Sequence, residues 1–277
     1  YVEIKNCRIE GGSVQMLQSG QGGGFIGQSI NTSTKVEDCV NNIDFFNTTT
    51  AVTYGGILGR GVGTFSRCVN YANMRMTMYS GGIVAHASYY LDGTSLKSGV
   101  ITIEDCVNYG NYEESANIGA INNSNGASAS GGIIGQTGTA NNSISRCANY
   151  GKLVNHVYNR TNTDNQSIYY GGIIGNATNT TISNCVNYGD ISGTAINNTT
   201  SNTRVYNAGG IAGRMNSNSR SVIQNCYNTG ALVYTSTGSN VASTTMNIGA
   251  LCGLFDGIPS NVNIISSFAL SGLSGST

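Results

Sequence analysis

The sequence predicts an all-β chain: a right-handed parallel β-solenoid of about seven to eight coils, with no substantial helix. Three observations carry this. A glycine doublet followed by apolar residues recurs along the 277 residues, and a cysteine recurs at one fixed place behind an apolar residue. No stretch keeps a helical period beyond a single turn.

Aligned on the doublet, coils begin near residues 23, 55, 81, 131, 171, 209 and 248, reading GGFIG, GGILG, GGIVA, GGIIG, GGIIG, GGIAG and a worn IGALCG. Aligned on the cysteine, Cys7, Cys39, Cys68, Cys106, Cys147, Cys185 and Cys226 follow one another at 32, 29, 38, 41, 38 and 41 residues. In an eighth copy Ser267 replaces the cysteine. Units of this size cannot bury a core singly, so they stack into one repeat domain over residues 1–277. The chain opens part-way through a coil at Tyr1, so it is expected to belong to something longer.

Within each unit an apolar residue stands three before the cysteine (Ile4, Val36, Phe65, Ile103, Ile144, Ile182, Ile223). Another stands six after it (Phe45, Met74, Tyr112, Leu153, Ile191, Leu232). Alternation puts the cysteine, the residue two later and the second apolar residue on one inward face. The first apolar residue has the wrong parity, which demands a bend or bulge just before the cysteine. Three short strands per coil joined by Gly-, Asn- and Ser-rich turns are expected.

Equivalent positions in a solenoid stack on their own copies. The doublet therefore marks a tight bend or a close approach where a Cβ would clash. No lysine follows it to make a phosphate cradle. Asn41, Asn70, Asn108, Asn149, Asn187 and Asn228 are expected to form an inward amide ladder. The cysteines lack the paired spacing of zinc or redox sites and read as an inward row of small hydrophobes. Disulfides between stacked cysteines are the alternative. The residue before the cysteine alternates in sign over four coils, Asp38, Arg67, Asp105 and Arg146, an outer charge ladder. Three residues after the cysteine come Tyr71, Tyr109, Tyr150 and Tyr188 on the outward face. They either contact a glycan or protein partner or simply tile the sheet surface.

Composition narrows function further. Thirteen basic and thirteen acidic residues give no electrostatic footprint for nucleic acid, and no apolar run is long enough to insert in a membrane. Neither metal nor cofactor is expected, because no repeated position assembles an acid, base, nucleophile or ligand shell. An ice-binding surface would need a threonine file on successive coils, and none is read. Long Ser-, Thr-, Asn- and Gly-rich inserts over 86–99, 113–130, 154–170, 192–207 and 233–247 are either aligned recognition loops or tolerated decoration.

The units typified by GGIIG and ISNCVNYGDISG resemble the GLUG-motif repeats of large surface and adhesin-like proteins, over nearly the whole chain. The resemblance implies a passive extracellular or cell-surface segment beside any catalytic domain. A non-catalytic structural or adhesive rod, open to self-association end to end or side by side, is the expectation. The alternative is a polysaccharide lyase or hydrolase with its groove near Glu104, Asp105 and the 86–99 insert.

Overall fold

A computed structural model describes residues 2–18, 20–31, 33–47, 52–75, 78–87, 89–92, 95–113, 127–157, 166–196, 204–216, 220–237, 244–256, 262–270 and 274–276. These build an all-β parallel solenoid, with no helix among them. Sheet 1 holds seven strands that end on the first glycine of each doublet, from Gly20–Gly23 to Thr244–Gly249. Sheet 2 holds the seven that follow the doublet, from Ile26–Gln28 to Cys252–Asp256. Sheet 3 stacks eight strands, from Val2–Lys5 to Val262–Ile265, each ending just before the cysteine position. Sheet 4 has fourteen strands in two ladders that merge at the long strand Val40–Asn47. One ladder runs to Phe268–Ala269 and the other to Ser274–Ser276.

Most coils therefore contain five short strands rather than three. Several are only two residues long, such as Val107–Asn108 and Tyr112–Glu113, too short for alternation to show in a sequence. The inserts also need correction, because strands extend into four of them: Tyr112–Glu113 and Ala127–Gly131, Leu153–Val157 and Gln166–Gly171, Ile191–Ile196 and Arg204–Gly209, Leu232–Thr237 and Thr244–Gly249. The insert at 86–99 contains an antiparallel hairpin of Tyr89–Asp92 with Ser95–Ser98. The centres of the other four, 114–126, 158–165, 197–203 and 238–243, lie outside the described residues.

The parity break before the cysteine is a single backbone event. Asn6, Asp38, Arg67, Asp105, Arg146, Asn184 and Asn225 all take φ between 51 and 55°. One left-handed residue turns the chain from sheet 3 into sheet 4 and returns the next side chain to the interior. Asn and Asp tolerate this conformation, which explains five of the seven.

The interior has two lobes. Val36, Phe65, Ile103, Ile144, Ile182 and Ile223 meet the thiols and the isoleucines of the glycine corner in the first. Phe45, Met74, Tyr112, Leu153, Ile191 and Leu232 meet Tyr54, Tyr170 and Tyr206 in the second. The asparagine row stands between them: each cysteine two residues earlier belongs to the first lobe, and each apolar residue four later to the second.

All six asparagines are fully buried. The Nδ2 of each donates to the Oδ1 of the next: Asn41 to Asn70 at 2.9 Å, then Asn70 to Asn108, Asn108 to Asn149, Asn149 to Asn187 and Asn187 to Asn228 at 2.8 Å. The second Nδ2 proton goes to the carbonyl two residues on, for example Asn149 to Gly151 at 2.9 Å, whose own N–H returns to Oδ1 at 3.2 Å. The second glycine of each doublet lies against this row. A Cβ on Gly24, Gly56, Gly82, Gly132, Gly172 or Gly210 would overlap the next coil's backbone carbonyl and the amide carbon of Asn41, Asn70, Asn108, Asn149, Asn187 or Asn228. In the last coil the doublet slot falls on Gly249 and Ala250, and the asparagine slot on Ala269. Where the amide is lost, the glycine is lost with it.

This pairing has a measurable consequence. Gly132→Ala alone should lower stability by about 1–3 kcal/mol through overpacking. Asn149→Ala alone should cost a similar amount by orphaning the amides of Asn108 and Asn187. A double-mutant cycle followed by urea unfolding should give a double mutant less destabilised than the sum, because losing the amide relieves one of the methyl's two overlaps and leaves only that with the Gly172 carbonyl. Strict additivity would show that glycine and asparagine do not depend on each other.

Candidate functional site

The cysteine row is built by that left-handed turn. Cys39, Cys68, Cys106, Cys147, Cys185 and Cys226 are buried and free, and Cys7, on the first described rung, is free and exposed. Each buried thiol donates to the carbonyl two residues earlier, at 3.1–3.4 Å. Ser267 makes the same bond to Ile265 at 2.9 Å and accepts from the Cys226 N–H at 3.0 Å. The slot thus requires a small donor, and a thiol supplies one with little desolvation cost. Burial pushes the thiols of Cys39, Cys106 and Cys147 up. The neighbouring thiols Cys147 and Cys185 lead the same shift at Cys185 and Cys226. Cys252, in sheet 2 and outside the row, is pushed up to about 12 by burial. Such thiols are poor nucleophiles.

The charge row resolves into two forked pairs. Arg67 donates to both Asp38 oxygens at 2.7 and 2.8 Å, and Arg146 to both Asp105 oxygens at the same distances. Hydrogen bonds from these arginines hold both aspartates below the usual carboxylate range. The pairs also anchor the two arginines, whose left-handed backbone is the costly exception in that row. Glu104 joins Arg146 at 3.0 Å, so both carboxylates proposed for a polysaccharide-cleaving groove are tied to one guanidinium. Lys35 and Lys5 engage Glu37 at 2.8 and 3.2 Å.

Tyr71, Tyr109, Tyr150 and Tyr188 form a face-to-face stack on the outside, 42–45% exposed. Ring centroids are 5.0, 4.9 and 4.6 Å apart, with planes within 7, 12 and 13°. Tyr227 closes the Tyr188 end edge-on at 6.4 Å. The inner ring faces are occupied by one another, which leaves ring edges and phenol hydroxyls for any partner.

Register also aligns a short mixed hydroxyl file, which is not a uniform threonine file. Thr64, Thr102, Ser143 and Thr181 are successive partners in sheet 3, flanked by Lys35 and Val222. Their different surrounding motifs hide the shared position four residues before the cysteine.

A further row escaped the sequence reading. The residue directly after each GGxxG or GGxxA is Gln28, Arg60, His86, Gln136, Asn176 or Arg214, and all six are in register along sheet 2. The signal was a polar hydrogen-bonding residue in every one of these copies, easily passed over because its identity changes. Asn176 Nδ2 donates to Gln136 Oε1 at 3.2 Å, and Gln136 Nε2 lies 3.5 Å from His86 Nε2. His86 packs on Tyr79 with centroids 4.4 Å apart. Arg214 lies over the Tyr169 ring at 5.2 Å, donates to its hydroxyl at 3.4 Å and pairs with Asp256. Burial, reinforced by the Arg60 charge, lowers His86 to about 3, so its imidazole is neutral at neutral pH.

Among the described residues no cluster of three His, Cys, Asp or Glu side chains is placed to hold a metal ion, and no helix is long and apolar enough to cross a membrane. Fold and rows define a member of the parallel β-solenoid class. Its sequence matches no family model, and no curated protein matches it at a significant level.

Two outcomes check these assignments. In the folded chain of residues 1–277 Cys7 should react quickly with a thiol reagent and Cys252 more slowly. The six buried thiols should react only on unfolding, as peptide mapping of labelled protein would show. His86 in the unfolded chain titrates near 6.5, but in the fold only near 3. Acid therefore favours the unfolded chain, and stability present above pH 6.5 is lost as pH falls from 6.5 toward 3. Urea midpoints measured between pH 6.5 and about 5, above carboxylate titration, should fall for the parent and less for His86→Gln.

Proposed function

We propose that this chain is a non-catalytic structural or adhesive segment of a cell-surface protein or extracellular filament, a rigid rod that meets its partner through the tyrosine stack. The observation that carries this reading is the stack itself, with four rings held parallel and two-fifths exposed on consecutive coils. A pre-ordered aromatic strip offers contact area at little conformational cost, and weak contacts repeated along a rod add through avidity. The resemblance to GLUG repeats of surface proteins supports the same reading. Glu104 and Asp105, both engaged by Arg146, are poor candidates for an acid or base.

Tyr109→Ser with Tyr150→Ser interrupts the strip without touching either core lobe. The double variant should keep the parent's urea midpoint within about 0.5 kcal/mol of stability. It should lose at least about tenfold in binding on a glycan array or to immobilised host-surface protein, roughly the worth of two aromatic contacts. Unchanged binding would remove the stack as the contact surface. Turnover of acidic or neutral polysaccharide, abolished by Glu104→Gln, would end the non-catalytic reading.

A further inference from the structure

The tyrosine stack sets four oxidisable rings side by side at the surface. Tyr71, Tyr109, Tyr150 and Tyr188 take the same place on successive coils, and each backbone N–H donates at 2.8 Å to the carbonyl of an asparagine of the buried file, Asn41, Asn70, Asn108 or Asn149. The file therefore fixes the register of the rings, whose centroids stand 5.0, 4.9 and 4.6 Å apart. The phenol ends stay close as well. Partial loss of solvent, then the neighbouring phenols of Tyr188 and Tyr109, push the Tyr150 hydroxyl up. The other tyrosines whose side chains are described are buried, apart from half-buried Tyr227, which meets Tyr188 edge-on at 6.4 Å.

We propose that the stack is a site of oxidative modification, at which neighbouring tyrosines of one chain couple into dityrosine and staple successive coils together. The oxidant is hydrogen peroxide acting through a haem peroxidase. Two phenols each give up one electron and one proton, and the peroxide is reduced to two waters. The unpaired electron of a phenoxyl radical is shared by the oxygen and by the ring carbons ortho and para to it. The para carbon, Cγ, carries the main chain, which leaves Cε to react. Two radicals stacked face to face join their Cε atoms in one new C–C bond. Each joined Cε then releases its hydrogen as a proton and each oxygen takes one up, which restores both phenols. The chain loses two hydrogens in all. The rings must twist out of the stack as the bond closes, and their exposure and soft χ2 torsions allow it. Because the partners are held side by side beforehand, coupling within one rod outruns collision between rods. The reaction needs no ligand on the strip, so it does not rest on the adhesive reading.

The test treats the chain of residues 1–277, at low micromolar concentration and with accessible thiols first alkylated, with a haem peroxidase and hydrogen peroxide. Dityrosine fluorescence should appear in the monomer band of a reducing, denaturing gel. Peptide mapping should find cross-linked peptides joining Tyr71 to Tyr109, Tyr109 to Tyr150 or Tyr150 to Tyr188, each two hydrogens lighter than its two parts. The oxidised chain should unfold at higher urea than the parent, because each staple closes a long loop in the unfolded chain. Tyr109→Phe with Tyr188→Phe keeps the rings but leaves the phenols of Tyr71 and Tyr150 two rungs apart, about 10 Å. This double variant should keep the parent's urea midpoint before oxidation and form at least about tenfold less monomer dityrosine. Should it be unstable, Tyr109→Phe alone should confine the coupling within the row to Tyr150 with Tyr188. An undiminished yield in the double variant would overturn the proposal, as would coupling of Tyr71 to Tyr150 in the single one. Absence of dityrosine, or its confinement to dimers and larger species, would overturn it too.

Discussion

The structure depends on one hydrogen-bonded file of carboxamides. Six asparagines with no exposure to solvent would be intolerable singly, since each side chain carries two donor protons and an acceptor oxygen. Stacked in register, they satisfy one another along the axis and satisfy the turn beside them through the backbone two residues on. That arrangement dictates much of the rest. Coils must repeat without slipping, because a one-residue slip would put an amide against hydrocarbon. The opposite wall must come close enough to exclude water, and only glycine allows its backbone to do so. The lobes on either side can then be largely apolar, filled by isoleucine and thiol on one side and by larger side chains, many of them tyrosines, on the other.

The left-handed residue before each cysteine is the second constraint, and it links chemistry inside the rod to chemistry outside. It turns the thiol inward and its own side chain outward. The same residue that shapes the backbone therefore supplies the surface pairs of Asp38 with Arg67 and Asp105 with Arg146. Asn184 and Asn225 continue the row without charge, through a 3.4 Å amide contact. The thiols are passive. Their row exists because a small side chain that can donate weakly to the carbonyl two residues back fits the corner, and Ser267 fills the same place at the less buried end.

Stacking made much of this legible in advance. Whatever recurs at one position in the sequence must meet itself in space, so glycine, cysteine, asparagine and tyrosine rows could be read as rows. Two kinds of feature were not legible. Strands of two residues, such as Tyr227–Asn228, carry no periodicity, and strands such as Ile191–Ile196 hide in polar sequence that looks like insert. Positions held by varied residues also escape. Gln28, Arg60, His86, Gln136, Asn176 and Arg214 share only the ability to hydrogen-bond, and Thr64, Thr102, Ser143 and Thr181 share only a hydroxyl. A ladder of function need not be a ladder of identity.

The carboxamide file also has a direction. Every Nδ2 points toward the later coil and every Oδ1 toward the earlier one, from Asn41 to Asn228. The alternating peptide groups of a strand cancel one another's dipoles, but these six add. The rod is therefore electrically polar along its length in a dry interior, with partial negative charge at the Asn41 end and partial positive charge at the Asn228 end. A compass needle has the same property. Two such rods brought end to end attract when they point the same way and repel when they face each other.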